Sequence, residues 1–280
     1  MLASPHYYHG RSAFLLFVSN FLQFLGFLKT TRPNRDSFNE LKLLKNSKIG
    51  RTALVLATGP SANGLNQDFL QRFVDDVLVI NGFNKLKIAE RIRPVFYGLS
   101  DPAHFNDLSE KQELERQELL SYVKKVDATL FLPHNAYKNN AFSDFKCLFF
   151  DDREFTFFNN SINPTKPRGY GSTTIYKMLA LACFLNYDKI YILGIDNTNF
   201  YNYRGTPDNR IVDIGLNTAE SIDASRSTFI SDYETEFTSG IAGRMQSYSH
   251  LFGDLKKFPR DKIINLDPYS LIDVFPKFLD

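Results

Sequence analysis

The residues of this chain best suited to chemistry fall just behind short apolar runs. TALVLATGPSANGL sets Thr58, Gly59, Pro60 and Ser61 after the first run. Glycine lets a backbone approach a phosphate closely, and Ser61 reads as the cap of a following helix whose free amides attract an anion. An ordinary strand-to-helix turn would use the same residues. The later glycines of a dinucleotide fingerprint and the Gly-Lys-Ser/Thr of a P-loop are missing. LVINGFN delivers Asn81, suited to a base or ribose, and FYGLSDPAHF delivers Ser100 and Asp101, suited to a hydroxyl or a metal. Asn-Gly and Asp-Pro are also plain turn dipeptides. RGYGSTTIYK opens a helix with Ser172, Thr173 and Thr174, where unpaired amides can hold a phosphate or carboxylate. Ser and Thr are equally common as simple N-caps. YDKIYILGID ends on Asp196, and Asp151 and Asp152 follow FKCLFF as a carboxylate pair able to hold Mg or Mn against a diphosphate.

Something must carry these residues to one place, and the periodicity says what. From residue 51 onward, short β-branched runs alternate with helical stretches, the pattern of a largely parallel sheet covered on both faces. Strands are expected at 52–57, 77–81, 95–99, 128–132, 147–150, 189–193 and 263–266. Helices are expected near 66–73, 84–91, 108–126, 172–186, 243–257 and 268–278. These units imply one α/β domain with a doubly wound sheet, whose ligands bind outside the carboxyl ends of the strands. The stretch from Asn197 to about residue 242 is polar and lacks sustained apolar periodicity, and a connection that long reads as a lid.

Composition narrows the function classes. The 280 residues carry 33 basic and 31 acidic side chains, so no global field favours a nucleic-acid partner. Cys147 and Cys183 lie in apolar runs and read as inert thiols, which suits a reducing, cytoplasmic setting. The histidines at 6, 9, 104, 134 and 250 show no metal-ligand spacing. Residues 13–28, AFLLFVSNFLQFLGFL, are apolar but short for a bilayer span, and Lys29, Arg32 and Arg35 follow them. That order suits an amphipathic helix in the membrane interface, on the inner face of the plasma membrane. A helix in a homo-oligomer contact would read the same way. In either case residues 1–45 are an appendage to a body spanning 46–280.

The order of pieces resembles the bacterial sialyltransferases of glycosyltransferase family 42. The resemblance is carried by GPS after the first strand, Asn81 after the second, the FYG turn, the Thr-rich helix start, ALACFLNYDKIYILGID, a late His in SYSHLFGD and the tail INLDPYSLIDVF. It implies a Rossmann-like sheet of the GT-A-type variant, and transfer of sialic acid or a related acid sugar from a CMP-activated donor to a glycan or glycolipid acceptor, as in lipopolysaccharide or capsule synthesis. Transfer would invert the anomeric carbon and need neither metal nor cofactor. The resemblance makes His250 the general base, a role that suits an imidazole titrating near ~6.5. It sets Thr58, Gly59, Pro60, Ser61, Asn81, Asp101, Ser172, Thr173, Thr174 and Asp196 around the donor, with Tyr201 and Tyr203 against the leaving phosphate. The chain departs from the family pattern at Thr58, Gly98 and Asp101, and Arg168 matches the family's Arg only across a gap. The alternatives are a motility-associated or hydroxymethylpterin pyrophosphokinase-like protein, binding a metal diphosphate near Asp101, and a metal-dependent glycosyltransferase using Asp151 and Asp152.

Overall fold

A computed structural model describes residues 21, 24–28, 30, 33–101, 104–105, 108–155, 159–171, 173–195 and 253–278, and the backbone of 203–205, 211–213 and 228–230. Seven parallel strands form the main sheet: β1 (Thr52–Leu56), β2 (Asp76–Ile80), β3 (Phe96–Gly98), β4 (Thr129–Pro133), β5 (Cys147–Phe150), β6 (Lys189–Leu193) and β10 (Ile263–Asn265). Their order is β10-β6-β1-β2-β3-β4-β5. The chain steps outward from β1 to β5 and then restarts on the other side of β1. The direction of winding therefore reverses between β1 and β6, and it is at such reversals that the carboxyl edge opens to ligands.

Each strand is a short run buried on both faces, which is why an unbroken apolar stretch such as DVLVI reads as parallel strand. One face is covered by α4 (Thr174–Leu185), apolar on nearly all sides and packed against Val55, Leu78, Ile80 and Phe96. Burying residues such as Met178, Leu179 and Leu181 stabilises the fold by roughly 2 kcal/mol each. The other face is covered by α3 (Glu110–Val126), which starts in a Ser109–Gln112 capping box and buries only Leu119 and Val123, an i, i+4 stripe. Two shorter helices, α1 (Asn39–Leu43) and α2 (Gln67–Phe73), complete the set, and Phe38 and Leu41 reach into the core beside edge strand β5. The tail covers the opposite edge, with Asn265 N donating to Pro276 O and Phe278 N to Asn265 O.

All seven expected strands are present, but three expectations change. The helix expected at 84–91 is two 3₁₀ turns, Asn81–Lys85 and Lys87–Glu90, parted by extended Leu86. The helix expected at 268–278 is a run of turns. Asp267 Oδ1 accepts from Tyr269 N and Ser270 Oγ from Ile272 N, local bonds that compete with a helical ladder. Within the expected lid lies a small antiparallel sheet of β7 (Tyr203–Gly205), β8 (Ile211–Asp213) and β9 (Thr228–Ile230), pairings too short to leave a periodic signature. Among the described residues no helix is long and apolar enough to cross a membrane.

Candidate active site

Parallel strands deliver the residues just beyond them to one edge, so Thr58, Gly59, Pro60, Ser61, Asn81, Ser100, Asp101, His134, Asp151 and Asp152 share a single rim. The Gly-Pro-Ser turn is more of a staple than the sequence implies. Gly59 N donates to Gly194 O at 2.9 Å, and Gly194 N returns a bond to Ser61 Oγ at 3.0 Å, joining the two loops across the winding reversal. Gly194 has φ +79, and a Cβ there would lie 2.4 Å from Ala57 O, so the staple requires glycine. The reading of Ser61 as a helix cap is thereby corrected. Ser61 lies inside a five-residue 3₁₀ turn, Pro60–Gly64, and α2 is capped by Asn66.

Asn81 differs in kind. It sits at φ +46, a left-handed conformation that Asn tolerates better than most residues. Buried Tyr97 holds its backbone there, donating its hydroxyl to Asn81 O while accepting from Asn84 N. The Asn81 Oδ1 is buried and accepts no hydrogen bond from any described residue.

The start of α4 lies beside it. Gly98, which pairs with Ile80, has no side chain to hold the helix off, and a Cβ at that position would come 2.6 Å from Met178 Cε and 3.6 Å from Thr174 Cγ2. That close approach lets Thr174 Oγ1 bond Ser100 Oγ at 2.7 Å, tying β3 to the helix start. Thr173 occupies the N-cap position without using its side chain as a cap, and its buried Oγ1 has no partner among the described residues. The simple-cap reading of Thr173 therefore does not hold.

Behind this edge is an ion cluster that the sequence did not reveal. Lys177, 2% exposed, lies 2.7 Å from Asp152, and Arg168 reaches Asp152 at 3.4 Å and Glu154 at 2.9 Å. Burial lowers the Lys177 pKa, and Asp152 works against that shift. Arg153 takes both oxygens of Asp151, at 2.9 and 2.7 Å. With three cations already on the two carboxylates, Asp151 and Asp152 are ill suited to a divalent ion, which corrects the metal-binding reading of this pair. The available signal was a lone lysine inside the apolar run TIYKMLALACFL.

Asp101 is exposed at the rim, and its carbonyl accepts from His104 N. His134, after β4, receives the Asp152 amide on Nδ1 at 3.4 Å, and burial lowers its pKa. Burial pushes the thiols of Cys147 and Cys183 up to about 12, in keeping with inert cysteines. Ser172, Asp196, Tyr201 and His250 lie outside the described residues, and Tyr203 is described only as backbone in β7. The segment shortly after His250 is described. Asp254 accepts from Gly171 N at 2.7 Å, and Lys257 bonds both Asp254 and Gly169 O, clamping the loop that leads into α4.

Fold and rim together define a doubly wound α/β protein with an open polar edge beside its central helix. Among solved structures the chain is similar to the sialyltransferase CST-II in complex with a trisaccharide acceptor and CMP, at 17% identity and TM-score 0.44, covering 81% of this chain and 85% of that one. It is also similar to the sialyltransferase CstII from Campylobacter jejuni with the substrate analogue CMP-3FNeuAc, at 15% identity and TM-score 0.42 over 81% and 85% of the two chains. The same enzyme in complex with cytidine-5'-monophosphate matches at 16% identity and TM-score 0.44 over 82% and 85%. No family model and no curated protein sequence matches.

Proposed function

We propose that this chain is a glycosyltransferase that moves an acid sugar, sialic acid or a close relative, from a CMP-linked donor to a glycan acceptor. One observation carries the reading. Two buried polar atoms without partners among the described residues, Asn81 Oδ1 and Thr173 Oγ1, flank the point where β2, β3 and the start of α4 meet. Leaving such an atom unpaired costs about 1–3 kcal/mol. A ligand that pairs both recovers that cost: a ribose hydroxyl or exocyclic amine can donate to the Asn81 oxygen, and a phosphate or sugar carboxylate can accept from the Thr173 hydroxyl. The resemblance carried by the order of motifs favours a CMP-sugar as that ligand.

In this mechanism His250 removes the proton of the acceptor hydroxyl as its oxygen bonds to the anomeric carbon. The bond from that carbon to the phosphate oxygen breaks, its electron pair leaves with CMP, and Tyr201 or Tyr203 donates to the developing charge in place of a metal. Shortly after His250 in the sequence, the Asp254 and Lys257 clamp fixes the chain beside Gly171. The catalytic body is residues 46–280 with its lid at about 197–242, and Asp101, Ser172 and Asp196 border the donor.

Calorimetric titration with CMP, UDP and GDP, followed by turnover of CMP-sialic acid with and without EDTA, tests this. CMP should bind best and turnover should persist in EDTA. His250→Ala should lower transfer by orders of magnitude while nucleotide binding stays intact. A magnesium-dependent diphosphate reaction would replace the proposal with the pyrophosphokinase-like reading.

A further inference from the structure

The short helix at residues 24–28 carries two neighbouring apolar faces. Phe24 and Phe27 lie against Phe155, with ring centroids 5.7 and 5.0 Å apart, and the Arg153 guanidinium sits 5.3 Å over the Phe27 ring. The same guanidinium grips Asp151, the first residue after β5, so this inner face is bolted to the candidate rim. On the adjoining face, Leu25 and Leu28 are 39% and 57% exposed, and Phe21, one turn earlier on the same side, is 48% exposed. Charge indicates what meets that face. Residues 1–35 contain Arg11, Lys29, Arg32 and Arg35 and no Asp or Glu, whereas the other 245 residues hold 29 basic and 31 acidic side chains. A second copy of the chain would carry the same uncompensated positive segment. An anionic lipid surface neutralises them while its acyl boundary takes the leucines.

We propose that the helix at residues 24–28 docks on an anionic bilayer surface through Leu25 and Leu28, and that Phe24, Phe27 and Arg153 hold the rim after β5 to the docked helix. Catalysis by the rim is a separate matter, so this proposal can stand or fall independently of the transfer reaction.

Co-sedimentation of the full chain with phosphatidylcholine vesicles, with and without phosphatidylglycerol, tests the docking. Binding should be at least about tenfold tighter to the anionic vesicles and should weaken as salt rises. Leu25→Asp with Leu28→Asp should abolish it, and the milder Leu25→Gln with Leu28→Gln serves if the first pair fails to fold. Equal binding to both vesicle types, or none, overturns the proposal. So does a lipid-free dimer that the same variants convert to monomer in sedimentation velocity, which would make a second copy the occupant. Amide exchange on vesicles reads the bolt: slowed exchange should extend from 24–28 to 153–155, and protection confined to 24–28 overturns the coupling to the rim.

Discussion

The two ends of β2 treat a buried polar side chain in opposite ways. At its amino end, Asp76 takes the Arg51 guanidinium at 3.1 and 2.9 Å, Lys48 at 2.9 Å and the buried Tyr187 hydroxyl at 2.7 Å. Burial by itself would raise the Asp76 pKa, but these donors outweigh it and hold the carboxyl below its ordinary value. At the carboxyl end, one residue past the strand, Asn81 keeps a left-handed backbone and a buried oxygen that bonds nothing. Both are internal polar groups on one strand. The saturated end is framework, and the unsaturated end is where we propose that the donor binds.

Substitutions at the two ends should separate stability from binding. Asp76→Ala strands the buried Tyr187 hydroxyl and two cationic donors, Arg51 and Lys48, so unfolding free energy should drop by about 3 kcal/mol in a urea titration. CMP affinity of the folded fraction should not change. Asn81→Gly should do the reverse, because glycine accepts the positive φ and loses only the orphaned amide. Calorimetry should read CMP binding weakened about tenfold, with stability equal or higher. A large loss of stability in Asn81→Gly would mean that its side chain belongs to the framework after all.

Thr173→Val sharpens the contrast further. Removing a buried hydroxyl without partners should raise stability by up to about 1 kcal/mol while weakening donor binding several-fold. The smallest effect is on pH dependence. His104 and His134 have pKa values lowered by burial, so they titrate lower in the folded protein than in the unfolded chain. The stability they contribute is complete above the ordinary histidine value of ~6.5 and is lost as pH falls through their lowered folded values. Thermal unfolding between about pH 7 and 5 should show the decline, and His134→Gln should flatten it.

The strands were legible because each is a short apolar run ended by a polar or glycine turn, and burial on both faces leaves no alternation to misread. The 84–91 and 268–278 segments were not legible, because Asn81 takes an unusual φ while Asp267 and Ser270 use their side chains to bind local backbone, and such choices do not alter hydrophobic period. For the candidate site, the sequence pointed to the carboxyl ends of the strands but could not say which residues there are engaged. Ser61 is spent on Gly194, Asp151 and Asp152 on three cations, and Thr174 on Ser100, whereas Asn81 Oδ1 and Thr173 Oγ1 are left open.

The sequence by itself determined the parallel α/β body, the edge at which polar residues gather and the cationic, apolar character of the first 35 residues. These follow from local composition and from a strand's fixed polarity. Only the tertiary structure decided which of those polar groups are saturated, because pairing depends on neighbours more than 70 residues away, such as Thr174 on Ser100 or Gly194 on Ser61. A hydrogen bond is a relation between two positions, and no single stretch of sequence contains both.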